Sequence, residues 1–137
     1  RNLYYNATDV GITTTAGEGW GLVSCEHGAA GIPQIVPRHT SLPEIWQDAA
    51  LYLEPGPPVG TAALPIWHRD GLDPQEAAEH LERLYSDQAY RLYYGKSARE
   101  RMCNPVFAWT TIEQQWKALF LNTLHTTLAA HNSLSTH

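Results

Sequence analysis

The sequence predicts an α/β fold with about three parallel strands, flanking helices and further helices at the C-terminal end. Three short apolar runs of strand length alternate with helical or irregular segments, and glycine or proline bounds most of them. After residue 72 the apolar residues recur only at helical spacing. With 137 residues, 43% hydrophobic and 17% charged, the chain has the composition of a soluble globular protein of at most one domain.

The first elements are the tail of a helix, a strand and a second helix. Residues 1–7 favour a helix end, and residues 9–14 are rich enough in β-formers for a short strand. The small residues of 15–19 then form a loop. Helical spacing follows, and it ends at two stop signals, Gly31 and Pro33. The stretch AGEGWG, residues 16–21, is therefore predicted to be a strand-to-helix turn.

Two more strands follow this helix. Residues 34–36 are apolar, lie between two prolines and are too few for a helix, and residues 50–53 form a third run. Between them, residues 40–46 predict a loop and one helical turn. This order makes a right-handed parallel unit, in which ligands bind at the carboxyl ends of the strands. Glu18 lies at such an end.

The rest of the chain predicts a long excursion and three helices. Residues 54–72 are rich in proline and glycine, and His68, Arg69 and Asp70 within them show no catalytic spacing, which favours a surface insertion. Asp73 and Glu76 predict a capping box for a first helix, a second runs from about residue 86 to 102, and Thr110 with Glu113 predicts a capping box for a third. We expect two stripes to be core: Ala77, Leu81, Leu84 and Tyr85, then Ile112, Trp116, Leu119 and Phe120.

Several classes of function are excluded by composition. The net charge of −5, without a Lys/Arg block, gives no footprint for nucleic acid or an anionic membrane surface. No apolar run approaches the roughly 20 residues that cross a bilayer, and nothing resembles a signal peptide, so we expect a cytoplasmic protein. The spacing of Cys25 and Cys103 favours reduced thiols, and the seven scattered histidines predict no metal site.

Two carboxylates, Glu18 and Glu26, flank the glycine turn. Each is ordinarily a solvated residue, but the small residues around Glu26 suit a helix packed closely on a sheet, where a buried unpaired charge is costly. A carboxylate accepts two hydrogen bonds well, so vicinal hydroxyls of a sugar are its natural counterpart. Gly19 and Gly21 let the backbone approach a ligand, and the helix start near Leu22 suits a phosphate. These features predict a site for a nucleotide sugar.

The same residues resemble the signature of retaining glycosyltransferases of the GT-B fold, the glycogen-synthase and mannosyltransferase group. The resemblance covers roughly residues 1–123. Its motifs follow in order: Tyr5-Asn6-Ala7-Thr8-Asp9-Val10, Glu18-Gly19-Trp20-Gly21-Leu22 through Glu26, Gly31-Ile32-Pro33, Leu42-Pro43-Glu44-Ile45 and Phe107-Ala108-Trp109. It implies the second half of a Rossmann-like donor-binding domain, incomplete at its N-terminal side. Residues 124–137 lie beyond the resemblance, and because they are rich in Thr, Ser and His and lose the apolar stripe, we expect a flexible tail.

The resemblance also implies roles for residues of the turn. Glu18 matches the catalytic acid that lies beside the transferred sugar and binds its hydroxyls. Glu26 matches the acid that holds the ribose of the nucleotide. The backbone that meets the sugar and diphosphate is that of Gly19, Trp20, Gly21, Leu22 and Val23. No metal or other cofactor is implied, because such enzymes generally stabilise the leaving diphosphate with basic side chains and a helix terminus.

The sequence departs from the family pattern in places. Trp20 replaces the usual Phe, His27 replaces Ala, and Pro33-Gln34-Ile35-Val36 replaces Pro-Val-Val. The basic pair that clamps the diphosphate and the domain that binds the acceptor lie, in the family, upstream of Arg1, so we expect the isolated chain to be inactive.

Two other functions stay open: a GT-B nucleotide-sugar epimerase, and a non-catalytic binding or scaffold module. Product analysis separates the epimerase, which releases free nucleotide without an acceptor. The scaffold has no need of both acids and the flanking glycines. The incomplete sheet also predicts self-association of the chain, because it leaves an apolar edge and face exposed.

Overall fold

Helices and short strands alternate through the first half of the chain, and helices alone follow. A computed structural model describes residues 2–56 and 71–134, with side chains for 3–56 and 71–127. The elements in chain order are α1 (Asn2–Asn6), β1 (Gly11–Ile12), α2 (Leu22–Ala29), β2 (Gln34–Pro37), α3 (Leu42–Trp46), β3 (Leu51–Leu53), α4 (Pro74–Ser86), α5 (Gln88–Met102), a 3₁₀ turn (Pro105–Phe107) and α6 (Trp109–Leu134). The three predicted strands are confirmed, although β1 is shorter than the run that predicts it.

The three strands form one parallel sheet in the order β1-β2-β3. Gly11 pairs with Gln34, and Ile35 pairs with Leu51. Because neighbouring strands are parallel, the loops that follow β1 and β2 leave the sheet at the same end, the end that carries the carboxyl termini of the strands. The predicted fold class, a parallel half-sheet with flanking helices followed by C-terminal helices, is confirmed.

Buried side chains form two clusters on opposite faces of the sheet. Successive side chains of β2 alternate between them: Val36 belongs to the cluster that holds Trp46, and Ile35 to the one that holds Leu84. Helix α2 lies close to the first cluster, because a Cβ at Gly28 would come within 2.4 Å of the Trp46 ring. The close packing that the small residues of this helix predict is therefore present, at Gly28.

Only one of the two hydrogen bonds of the capping box predicted for helix α4 is present. Asp73 accepts a hydrogen bond from the N–H of Gln75 at 2.8 Å, as a cap should. Glu76 does not return the bond to Asp73; its Oε2 accepts instead from the N–H of Glu54, 2.9 Å away. Glu54 directly follows β3, the outer strand of the sheet, and no further strand of the described chain pairs with the outer side of β3. A donor of this kind needs a partner, and the helix supplies one.

The outer edge of β3 is covered by a second side chain of α4. His80 Nε2 lies 2.9 Å from the carbonyl oxygen of Tyr52 and donates to it. Two side chains of α4 therefore satisfy polar main-chain groups along this edge, and the self-association of the chain stays a prediction. Elsewhere on α4, Leu84 is fully buried as expected, but Tyr85 is 82% exposed, so its prediction as a core residue is wrong.

The C-terminal segment forms a compact unit of its own. The described residues divide into two compact units, one that ends at Met102 and one that begins at Cys103. Helix α6 begins at Trp109, so Thr110 lies inside the helix and is not its cap. Glu113, its predicted capping partner, instead pairs with Lys117 one turn later, at 2.6 Å.

The apolar stripe of α6 is exposed. Trp116, Leu119 and Phe120 each keep more than half of their surface accessible, so the prediction that this stripe is core is wrong for these residues. Trp116 and Phe120 stack on one another, with ring centroids 5.5 Å apart. The helix continues to Leu134, through a segment where the sequence predicts a flexible tail, and the alanines and leucines of that segment are strong helix formers.

Candidate functional site

The turn between β1 and α2 requires a glycine at one position. Gly21, the residue before α2, has the left-handed conformation φ 80°, ψ 43°. A Cβ there would lie 3.0 Å from Leu42 Cδ2 and 3.1 Å from Ser24 Oγ. Gly19 has neither restriction, because a Cβ there would meet no atom within 4 Å. The two glycines are equivalent in the sequence but differ in the structure, where Gly21 fixes the direction in which the chain enters the helix.

The loop that carries Glu18 is held by the loop that follows β2. Ser41 Oγ donates to the main-chain oxygen of Glu18 at 3.1 Å. His39, of which 6% is exposed, has its Nε2 2.8 Å from the carbonyl oxygen of Thr15. A carbonyl only accepts, so this nitrogen carries the proton and donates. Two hydrogen bonds from one loop thus anchor the main chain of the other, and both residues are missed by the sequence analysis.

Glu18 lines a cleft of about 140 Å³ between α2 and the first two strands. The polar side chains that share this cleft are those of Thr13, Ser24, His27 and Gln34. Ser24 Oγ donates to the carbonyl oxygen of Gly21 at 2.9 Å, within the cleft wall. Glu18 is partly buried and lies beyond the carboxyl end of β1, where the sequence analysis places it.

The first turn of α2 has no side-chain cap. The first main-chain hydrogen bond that closes on the helix runs from the N–H of Cys25 to the carbonyl oxygen of Gly21, 3.0 Å away. The N–H groups of Leu22 and Val23 precede this bond, and an uncapped helix start of this kind suits an anion because of its free donors and its dipole. The side chains of Trp20, Leu22 and Val23 are 46%, 64% and 70% exposed and bury little of this turn.

Glu26 lies outside the cleft, on the exposed side of α2. The hydroxyl of Tyr5, from α1, donates to its Oε2 at 3.1 Å. The small residues around Glu26 predict a helix packed closely on the sheet, and the packed side of α2 carries Ser24, His27 and Gly28, whereas Glu26 itself is exposed. Ser24 and Gly28 are each two residues from Glu26 and so lie on the opposite side of the helix, whereas His27 is adjacent to it.

The Cys25 thiol is affected both by its burial and by the two acids of the turn. Burial raises the pKa of Cys25 to about 11; the Ser24 hydroxyl opposes this rise, and the nearby carboxylates of Glu18 and Glu26 each add a smaller increase. Both carboxylates therefore lie close enough to act on the same sulfur atom. Cys25 and Cys103 are both free thiols.

His27 joins α1 to α2 beside Glu26. Its ring stacks on Tyr5 with centroids 5.1 Å apart, and its Nε2 lies 2.6 Å from Thr8 Oγ1. Only 9% of the residue is exposed, and this burial lowers the pKa of the imidazole below its ordinary value. A neutral ring packed on Tyr5 fixes the hydroxyl that holds Glu26.

The described chain contains no cluster of metal-binding side chains. Within residues 2–56 and 71–134 no three side chains among His, Cys, Asp and Glu come together as metal ligands would. In the same ranges no helix has the length and apolar character to cross a membrane. His68, Arg69 and Asp70 of the predicted insertion lie outside the described residues.

The fold is similar to that of a known glycosyltransferase. The structure of sucrose-phosphate synthase from Thermosynechococcus elongatus superposes with a TM-score of 0.68 at 25% sequence identity. The match covers 90% of this chain and 27% of the synthase, so the chain spans about a quarter of that protein. No protein-family model and no curated protein matches the sequence. The chain therefore has the fold of part of a GT-B glycosyltransferase.

Proposed function

We propose that this chain carries part of the donor site of a retaining nucleotide-sugar glycosyltransferase. The observation that supports this most is the position of Glu18, which lines a cleft next to the uncapped start of α2 at the carboxyl end of a parallel sheet. Ligands of open α/β sheets bind at the carboxyl ends of the strands. The glycosyltransferase fold of the structural neighbour agrees with it.

Each part of the site suits one part of a nucleotide sugar. The carboxylate of the partly buried Glu18 accepts hydrogen bonds from hydroxyls of the transferred sugar. The main chain of residues 19–23, which leads into the helix start, receives the diphosphate, and the helix dipole favours its charge. Glu26, which accepts from Tyr5 on one oxygen, binds the ribose hydroxyls.

The distance between these parts follows from helix geometry. Glu26 is four residues beyond Leu22, and a rise of 1.5 Å per residue places it about 6 Å along the helix axis. Glu18 precedes the helix on the other side of the turn. Along the chain the helix start therefore falls between the two acids, which is the order of sugar, diphosphate and ribose in the proposed donor.

Calorimetric titration of the 137-residue chain with UDP, GDP and ADP and with their glucose or mannose conjugates tests the proposal. We expect saturable binding of one base. Glu18→Gln should weaken the sugar conjugate about 10–100-fold and leave the free diphosphate unchanged, because a hydrogen bond to a charged group contributes about 1.5–3 kcal/mol. Glu26→Gln should weaken both ligands.

Glu82→Gln provides the matched control, because Glu82 is an exposed carboxylate on α4. It should bind every ligand as the wild type does. Failure of the wild-type chain to bind any of the diphosphates or conjugates would contradict the proposal, and so would equal affinities for the wild type and Glu18→Gln.

A further inference from the structure

Gln34 is a buried polar residue in an otherwise apolar strand. It begins β2, and 2% of its surface is exposed. The residues that follow it, Ile35 and Val36, are fully buried. A polar side chain in such a strand costs free energy unless it is hydrogen-bonded, so its presence calls for an account of both ends of the amide.

One end of the amide is satisfied by the chain itself. Gln34 Nε2 lies 3.1 Å from the carbonyl oxygen of Ile32 and 3.2 Å from that of Pro33. Carbonyl oxygens only accept, so these two contacts fix which end is the nitrogen. No described group donates to Oε1. Among the described side chains, Trp46 Nε1 is the nitrogen or oxygen atom that is both fully enclosed and without a hydrogen-bond partner. Gln34 Oε1 also lacks a partner but is not fully enclosed, so it still reaches open space.

That space is the cleft lined by Glu18. Gln34 and Glu18 both line it, with Ser24 and His27 along the α2 wall. The proton of the Ser24 hydroxyl is used by Gly21, and His27 Nε2 is engaged with Thr8. The groups that remain for a ligand include three acceptors, the Glu18 carboxylate, Gln34 Oε1 and the oxygen of Ser24, together with the hydroxyl of Thr13, which can donate or accept.

The neighbouring strand leaves room for this amide. Gly11 pairs with Gln34 in the sheet, and a Cβ at Gly11 would lie 2.2 Å from Gln34 Oε1 and 2.4 Å from Nε2. The amide therefore occupies the volume that a side chain at position 11 would take. A glycine inside a strand often marks such a close approach.

We infer that Gln34 determines specificity for the transferred sugar, its Oε1 accepting a hydrogen bond from a hydroxyl that Glu18 does not hold. This rests on the proposed function. A cleft of about 140 Å³ holds roughly four or five water molecules, which admits the edge of one sugar ring but not a nucleotide as well. The donor it selects is a nucleotide sugar with a fully hydroxylated ring, in preference to a deoxy sugar.

A double-mutant cycle between protein and ligand tests the inference. The 137-residue chain and Gln34→Leu, which is similar in size but lacks the amide, are titrated with the free nucleoside diphosphate, its hexose conjugate and the single-deoxy conjugates. We expect Gln34→Leu to weaken the hexose conjugate about tenfold or more and the free diphosphate less than twofold. One deoxy conjugate should bind the wild type as weakly as it binds the variant, because the same hydrogen bond is missing from both.

Controls separate a binding role from a structural one. Gln114→Leu, at an exposed position of α6, should leave all affinities unchanged. The cycle repeated with Glu18→Gln should couple to a different hydroxyl. If Gln34→Leu weakens diphosphate and conjugate equally, or neither, the inference is wrong while the proposed function stands.

The wild-type series decides the matter even if Gln34→Leu does not fold. Equal affinity of the wild type for the hexose conjugate and every single-deoxy conjugate would overturn the inference. If the wild type binds neither diphosphate nor conjugate, the proposed function fails and the inference fails with it.

Discussion

Replacing Gly19 and Gly21 by alanine, one at a time, tests whether the two glycines of the turn have different roles. Gly21 has φ 80°, a left-handed conformation that costs a residue with a Cβ about 1–2 kcal/mol. The added Cβ would also lie 3.0 Å from Leu42 Cδ2 and 3.1 Å from Ser24 Oγ. At Gly19 the Cβ meets nothing within 4 Å, and its φ is not positive.

The difference between the two variants is the quantity to compare. Both substitutions reduce the entropy of the unfolded chain by a similar amount, about 0.4–1 kcal/mol in favour of folding, so this effect cancels. What remains is the backbone strain at Gly21 and the cost of its close contacts with Leu42 and Ser24. We expect the free energy of unfolding of Gly21→Ala to be about 1–2 kcal/mol below that of Gly19→Ala.

Urea unfolding followed by circular dichroism measures this difference, with equal m-values as the check that only stability has changed. Gly21→Asn serves as a rescue, because asparagine adopts the left-handed region more readily than alanine, and it should recover part of the loss. Equal midpoints for Gly19→Ala and Gly21→Ala would refute the assignment of the turn to Gly21.

Three further outcomes are expected. With a pKa of about 11, Cys25 should be alkylated by iodoacetamide at pH 8 roughly a hundredfold more slowly than the exposed Cys103, as mass spectrometry can show; equal rates would contradict the burial of Cys25. Burial lowers the pKa of His27, so the stability it contributes is complete above about pH 6.5 and is lost as the pH falls; His27→Gln should flatten this part of the pH profile of the unfolding free energy. Gly95→Ala should lower the melting temperature despite the better helix propensity of alanine, because its Cβ would come within 2.4 Å of the main-chain oxygen of Gly31.

The fold could be predicted because its signals are local. Each strand is a short apolar run between glycine or proline, and the parallel arrangement follows from the connections. The errors arise where a distant group competes with a local one. Glu76 has the spacing of a capping partner for Asp73, but the unpaired N–H of Glu54 lies 22 residues away in sequence and takes its carboxylate. No local pattern contains that information.

The candidate site is predictable to the same extent. The position of Glu18 at the end of β1 follows from the strand-to-helix turn, and the structure places it there. The anchoring of its loop by His39 and Ser41 crosses 24 and 23 residues and leaves no sequence signal. Gln34 does leave one, since a glutamine inside an apolar strand is unusual. Its meaning depends on the space above Gly11, which only the register of the sheet reveals.

The two acids of the turn are held in different ways, and this bears on what each can bind. Glu18 is partly buried and lines a cleft, and its main chain is held by Ser41 from the neighbouring loop, so the backbone that carries this acid has a defined position relative to the sheet. Glu26 is exposed, and its orientation depends on the hydroxyl of Tyr5. A fixed acceptor in a narrow cleft discriminates between hydroxyl positions of a sugar, whereas an exposed acceptor contributes affinity with less discrimination. Specificity for the transferred sugar should therefore reside with Glu18 and its cleft, and Glu26 should contribute mainly to nucleotide affinity.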